Sequence, residues 1–167
     1  MRPQDIVVML KIITIKTSQW QLASLSHSLK LSLSEISESL NRSRIAGLID
    51  HQKENVNRQS LLEFLEHGVK YVFPQQPGSM VRGIPTAHSY PSIKKIFISE
   101  IDYVWPHSKG TIMGLAIEPF YYRQADAVLN DELLHRLLAL VDMIRVGRVR
   151  EVKYAVGELN RIINEPS

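Results

Sequence analysis

The chain of 167 residues is 44% hydrophobic and 22% charged, the composition of an ordered protein with enough length for one well-cored domain or two small ones. It has no cysteine, which excludes disulfide frameworks, thiolate metal sites and cysteine nucleophiles. A net charge of +3, spread as nine Lys/Arg against seven Asp/Glu in residues 1–70 and eleven against ten in residues 71–167, permits a nucleic-acid partner without demanding one.

The apolar run from Ile6 to Ile15 is interrupted by Lys11 and is too short for a membrane span. No small-residue cleavage site follows, so the chain is expected to be cytoplasmic, with no membrane partner. Within that run Ile6, Val7, Met9, Leu10 and Ile13 recur at helical spacing. Pro3 suits a first turn and Asp5 the positive end of the dipole, so a buried first helix is predicted from Pro3 to about Ile15. Ser18 with Gln21 forms a capping-box pattern that opens a second helix through about Leu29, burying Trp20, Leu22, Leu25 and Leu29.

A second capping box, Ser32-Leu33-Ser34-Glu35, opens a third helix that runs to about Ala46 and stops at Gly47. Leu33, Ile36, Leu40 and Ser43 make its inward stripe, which leaves Ser34, Glu35, Ser37, Glu38, Asn41, Arg42 and Arg44 outside. Two short helices separated by Lys30 to Ser32 are a helix-turn-helix arrangement, whose second helix can enter a DNA major groove. Asn57 then caps a helix from Arg58 to about Val69, with Leu61, Leu62, Phe64, Leu65 and Val69 inward.

The stretch LKLSLSEISESLNRSRIAGLID, ending in Ala46-Gly47-Leu48-Ile49, resembles the recognition helix and following strand of winged helix-turn-helix bacterial transcription regulators of the MarR-like group. The resemblance covers residues 5–70. It implies a DNA-binding domain whose wing is Asp50 to Asn57, with Ser34, Ser37, Glu38, Asn41 and Arg42 facing bases and Arg44, Lys53 and Arg58 holding phosphates. Glu38 departs from the pattern, since many relatives carry Arg or Lys there; it repels phosphate and can accept only from a cytosine amino group. With so few cations per chain, DNA binding calls for a dimer.

Residues 71–91 are dense in Pro and Gly, which excludes a helix and predicts extended segments joined by tight turns. YVFPQQPG from Tyr71 and YVWPHSKG from Tyr103 share four of eight positions, 32 residues apart. Either a duplicated hairpin or a chance convergence of turn chemistry explains them. If the hairpins are real, Tyr71, Phe73, Tyr103 and Trp105 pack together in a small sheet. Arg82, Thr86, His88 and Ser89, in VRGIPTAHS, offer a cation, hydroxyls and a glycine for close backbone approach, so they are candidates for an anionic ligand or partner pocket. The same segment read blandly is a set of satisfied turns joining two units.

His88 with Ser89 offers a base and a nucleophile, and His88, His107 and Glu118 offer metal ligands. Neither set has a diagnostic spacing, so no catalytic residue, metal or cofactor is expected. Residues 93–101 read equally as a strand or a short helix. A strongly apolar helix is predicted from Ala125 to Arg145. After Gly147 a last helix follows from Arg148 to Ile163 with a seam of Val149, Val152, Val156, Leu159 and Ile163. Arg145, Arg148, Arg150 and Lys153 form the densest basic cluster.

The expected architecture is α+β: an N-terminal winged helix-turn-helix, a small β-hairpin region and two C-terminal helices. Residues 1–70 form the DNA-binding domain and residues 71–167 an α+β dimerisation or ligand-sensing domain. The expected function is a sequence-specific repressor that binds double-stranded DNA as a homodimer and responds to a small-molecule or protein effector. The alternatives are a winged-helix protein-interaction factor, antitoxin-like or complex-assembling, and an enzyme using His88 or His107.

Overall fold

The computed structural model describes residues 1–17 and 19–165, and the chain is a mixed α+β protein. Helix α1, Gln4–Thr14, has Asp5, Ile6, Val7, Val8, Met9, Leu10 and Ile12 buried. A helix with so little exposed surface lies between layers rather than on top of one. Helices α2, Leu22–Leu29, and α3, Leu33–Ile45, pack on it and on each other. Ser18 of the first predicted capping box lies outside the described residues, and α2 begins after Gln21, which makes no side-chain cap.

The second capping box is formed: Glu35 N–H donates to Ser32 Oγ at 3.2 Å and Ser32 N–H donates to Glu35 Oε2 at 2.8 Å. Leu33 departs from its expected place, because it is 55% exposed, and Ser39 takes a buried position instead. The chain then turns through Asp50–Asn55, held by a single antiparallel bridge between Ile49 and Val56. Asp50 organises this turn by accepting from Glu54 N–H at 2.8 Å and Asn55 Nδ2 at 3.0 Å. Helix α4, Arg58–His67, starts on its expected Asn57 cap.

Tyr71 and Val72 contradict the extended prediction for residues 71–91. They lie in a further helical turn, α5, Val69–Val72, in which Tyr71 is 74% exposed. Tyr103 lies instead in strand β2, Tyr103–Pro106, against His88, with ring centroids 4.8 Å apart. The two YV-aromatic-Pro copies therefore sit in unrelated surroundings, and their likeness is coincidence. Phe73 packs edge-on to Phe64 and Phe120, away from the strands.

Strand β1, Met80–Thr86, pairs antiparallel with β2 from Gly83↔Pro106 to Thr86↔Tyr103. It also pairs antiparallel with β3, Ile112–Ala116, from Met80↔Leu115 to Gly83↔Ile112. Parallel pairing of Tyr103 with Leu115 and Val104 with Ala116 closes the three strands on themselves. Gly83 is where both partners of β1 meet. A Cβ there would stand 2.1 Å from the Trp105 carbonyl oxygen, so only glycine permits the crossing. The close approach expected at this glycine is thus made by the protein's own backbone.

After a single 3-10 turn, Ala87–Ser89, comes α6, Pro91–Lys94, which resolves the ambiguous 93–101 stretch as a short helix followed by irregular chain. The long C-terminal helix divides into α7, Gln124–Val128, and α8, Glu132–Val146, because Asp131 accepts from Leu134 N–H and caps a new start. Nine consecutive-turn side chains of α8, from Leu134 to Ile144, are buried, and α8 packs on α1, β1 and the last helix, α9, Val149–Ile163. Val149 is 84% exposed, so the seam of α9 shifts to Ala155, Leu159, Ile162 and Ile163.

One cluster of buried side chains includes Val7 and Met9 of α1, Leu61 of α4, Trp105 of β2, Leu137 of α8 and Leu159 of α9, and so crosses residue 70. Each fully buried aliphatic side chain in it contributes about 1.5–3 kcal/mol over exposure. Among the described residues no helix is long and apolar enough to cross a membrane.

Candidate functional site

The outward face of α3 carries Ser34, Ser37, Glu38 and Asn41, all exposed, at spacings of three, one and three residues that keep them on one side. Asn41 Oδ1 accepts from Arg44 NH2 at 3.0 Å, which draws Arg44 along the helix surface. Arg42 is placed differently from expectation. Its Nε and NH2 donate to Asp5 Oδ2 and Oδ1 at 3.0 and 2.8 Å, and Ser39 Oγ donates to Asp5 Oδ1 at 2.6 Å.

Asp5 has no exposed surface. Burial alone pushes its carboxyl up, but the hydrogen bonds from Arg42 and Ser39 outweigh that and hold it below the usual value. A bidentate Arg–carboxylate pair of this kind fixes the rotation of α3 about its axis relative to α1. Arg42 therefore orients the exposed face instead of belonging to it.

Lys53 lies in the 50–55 turn with φ at +59°, half-buried, its N–H donating to Asp50 O at 3.0 Å. Arg58 is engaged elsewhere: its guanidinium donates to the carbonyls of Ile163 and Glu165, closing the C-terminal end of α9 where helix carbonyls lack partners. A hollow of about 370 Å³ opens between the end of α1 and the turn, walled in part by Ile13, Trp20, Val56, Lys16 and Arg58.

Arg82, Thr86, His88 and Ser89 do not converge on a common ligand space. Arg82 is exposed and reaches Gly110 O at 3.5 Å. Thr86 Oγ1 donates to Asp142 Oδ2 at 2.7 Å, and His88 Nε2 donates to Ile101 O at 2.7 Å. Ser89 Oγ donates to Asp102 Oδ1 and accepts from Tyr103 N–H, both at 2.9 Å. Three of the four are thus buried and bonded within the protein, close to the satisfied-turn reading, except that His88 Nδ1 has no hydrogen-bond partner and stands 3.6 Å from Glu151 Oε2. Among the described residues, no three His, Asp or Glu side chains are grouped to hold a metal.

The sequence reading missed the buried Asp142. Its Oδ2 also accepts from Trp105 Nε1 at 2.8 Å, and its Oδ1 accepts from Arg145 NH1 at 2.9 Å. Burial pushes the Asp142 carboxyl up, with Arg145 pulling it back. Arg145 also donates from Nε to Phe73 O at 3.0 Å and stands 4.4 Å over the Phe120 ring. It is therefore a core residue and leaves the exposed basic cluster to Arg148, Arg150 and Lys153. The signal was present in LLALVDMIR: an acid inside an apolar helical run, with Arg one turn later, has to be paired.

His107, offered in the sequence beside His88 and Glu118, is paired with Asp126 instead. Its Nε2 meets Asp126 Oδ1 at 2.6 Å while Nδ1 accepts from Lys109 N–H at 3.0 Å. Compared with known protein families, with characterised proteins and with solved structures, the chain gives no significant match in any of the three.

Proposed function

We propose that residues 1–70 form a winged helix-turn-helix and that the chain is a dimeric, sequence-specific repressor of transcription. The observation that carries this reading is the asymmetry of α3. Its inner side is locked by the Asp5–Arg42–Ser39 cluster and its start by the Ser32–Glu35 box, while Ser34, Ser37, Glu38 and Asn41 stand together in solvent. A helix held rigidly with one exposed polar face is suited to reading base edges.

In that role Asn41 pairs with adenine, Glu38 accepts from a cytosine amino group, and the serines accept or donate. The exposed Leu33 and Ile45 meet thymine methyl groups. The 50–55 turn is the wing, with Lys53 and Arg44 on phosphates. Arg42 and Arg58 are assigned structural roles. A second subunit doubles the cation count, and occupancy of a promoter represses without chemistry. The hollow beside the turn is where an effector would act on the wing.

Leu33 at 55% and Ile45 at 71% exposure, flanking an acidic residue, also favour a second reading, in which the same face binds a protein. Selection of bound DNA from a random pool at about 0.15 M salt separates the two. An enriched inverted repeat with half-sites roughly one helical turn apart supports the repressor. No enrichment by a normally folded protein overturns it.

A further inference from the structure

The four cations assigned above to α3 and the wing include two, Arg42 and Arg58, that the fold uses internally. Phosphate contacts must then come from elsewhere if DNA is to be held at physiological salt. Four exposed cations, Lys30, Arg123, Lys109 and Arg82, are tied to one another through shared neighbours that lead from the turn before α3 into the second half of the chain. Lys30 comes first, in the turn between α2 and α3, with φ at +57°. Next to it is the segment entering α7, fastened to α2 by Tyr121 OH, which donates to Leu29 O at 2.8 Å.

Arg123 of that segment lies 3.9 Å from Asp126, and Lys30 and Asp126 border a common hollow. Asp126 in turn holds His107, at the end of β2, and His107 Nδ1 receives Lys109 N–H. Arg82 then reaches over Gly110 of the same turn. Lys30, Arg123, Lys109 and Arg82 thus follow one another with Asp126 among them, while Asp131, which borders the same hollow, is paired to Lys11. The Asp126 carboxylate is held low, first by the hydrogen bond from His107 and further by Arg123 and Lys30.

We propose that Lys30, Arg123, Lys109 and Arg82 form a second phosphate-binding strip, which grips the backbone of double-stranded DNA beyond the segment read by α3. The inference rests on the DNA-binding reading above. It gives residues 71–167 a direct part in holding DNA. His107 and Asp126 are positioning residues that keep the Lys109 turn and the Arg123 segment together. The strip begins at the turn that leads into α3, so one duplex can meet both, and lysine and arginine side chains without base-reading partners fit backbone and not sequence.

The test uses the full chain and the duplex enriched in the selection experiment, with affinity measured by fluorescence anisotropy from roughly 0.05 to 0.3 M salt. The variant Arg82→Ala/Lys109→Ala/Arg123→Ala is compared with Lys70→Ala/Arg150→Ala/Lys153→Ala, which removes the same charge elsewhere. Each lost phosphate contact lowers the slope of log K against log salt by about 0.9, so the strip variant is expected to lose roughly 2 to 3 in slope. Its sequence preference and melting temperature stay unchanged, and the control keeps the wild-type slope.

Wild-type binding with an unaltered slope in the strip variant, or an equal loss in the control, overturns the strip and leaves the DNA reading standing. A wild-type chain that binds no DNA overturns both.

Discussion

Arg145→Met keeps the length of the side chain and removes its charge. In the native fold this guanidinium has a side-chain exposure of 5%, donates to Asp142, Phe73 and Glu118, and covers Phe120. The variant leaves the Asp142 carboxylate, itself 1% exposed, with neutral donors only, from Thr86 and Trp105. Breaking one partner of a buried ion pair costs about 3–5 kcal/mol. In a chain of this length that lowers Tm by roughly 6–20 °C, read by urea unfolding at constant m-value alongside thermal melts.

The loss also has a pH signature. Because Asp142 is pushed up by burial, the folded state binds its proton more tightly than the unfolded chain does. The cost of the buried charge is absent below about pH 4 and grows as pH rises through the raised value. Without Arg145 the rise is larger, so the deficit of the variant is greatest near neutrality and shrinks on acidification. Arg145→Met/Asp142→Asn, which buries no charge, recovers most of the loss and is flat over the same range. A deficit under about 1 kcal/mol near neutral pH, or one that does not change down to about pH 5, refutes this reasoning.

Two further perturbations probe the other supports of the fold. Asp5→Asn removes the charge that holds Arg42 and Ser39 and is expected to cost about 1.5–3 kcal/mol. Asp5 is depressed, so its contribution is present above the ordinary carboxylate value and lost as pH falls through the lowered one. The variant should therefore lose less stability on acidification than the wild type, and equal acid limbs in urea midpoints count against the role given to Asp5. Gly83→Ala places a methyl 2.1 Å from the Trp105 carbonyl and is expected to destabilise by at least about 3 kcal/mol, with a red shift of tryptophan emission. A variant within about 1 kcal/mol of wild type would mean that β1 does not cross there.

The helices whose ends are written in local chemistry were legible: Ser32–Glu35 and Asn57 are caps that act within three residues of their own helix. What was hidden depends on partners far along the chain. Arg42 lies on the border of the polar face of α3, and the carboxylate that turns it inward is 37 residues away. The closure of three strands rests on pairings such as Met80 with Leu115, which no local period announces. The break before α8 was masked because Leu129 and Leu133 continue the apolar pattern across Asp131, whose capping role needs the chain to be kinked already.

The repeated Tyr-Val-aromatic-Pro is the sharpest lesson. The first copy continues a helix past Gly68 and the second runs through a sheet, so tetrapeptide likeness yields to what each copy packs against.

Helix α1 has a consequence beyond stability. It packs against α8 and holds α3 through Asp5, the second contact being a two-point fork. The arrangement is a linkage with one intermediate bar. Cutting the chain after α4 would remove α8 and with it one of the elements that α1 packs against, so the α3 face and the C-terminal helices share one core.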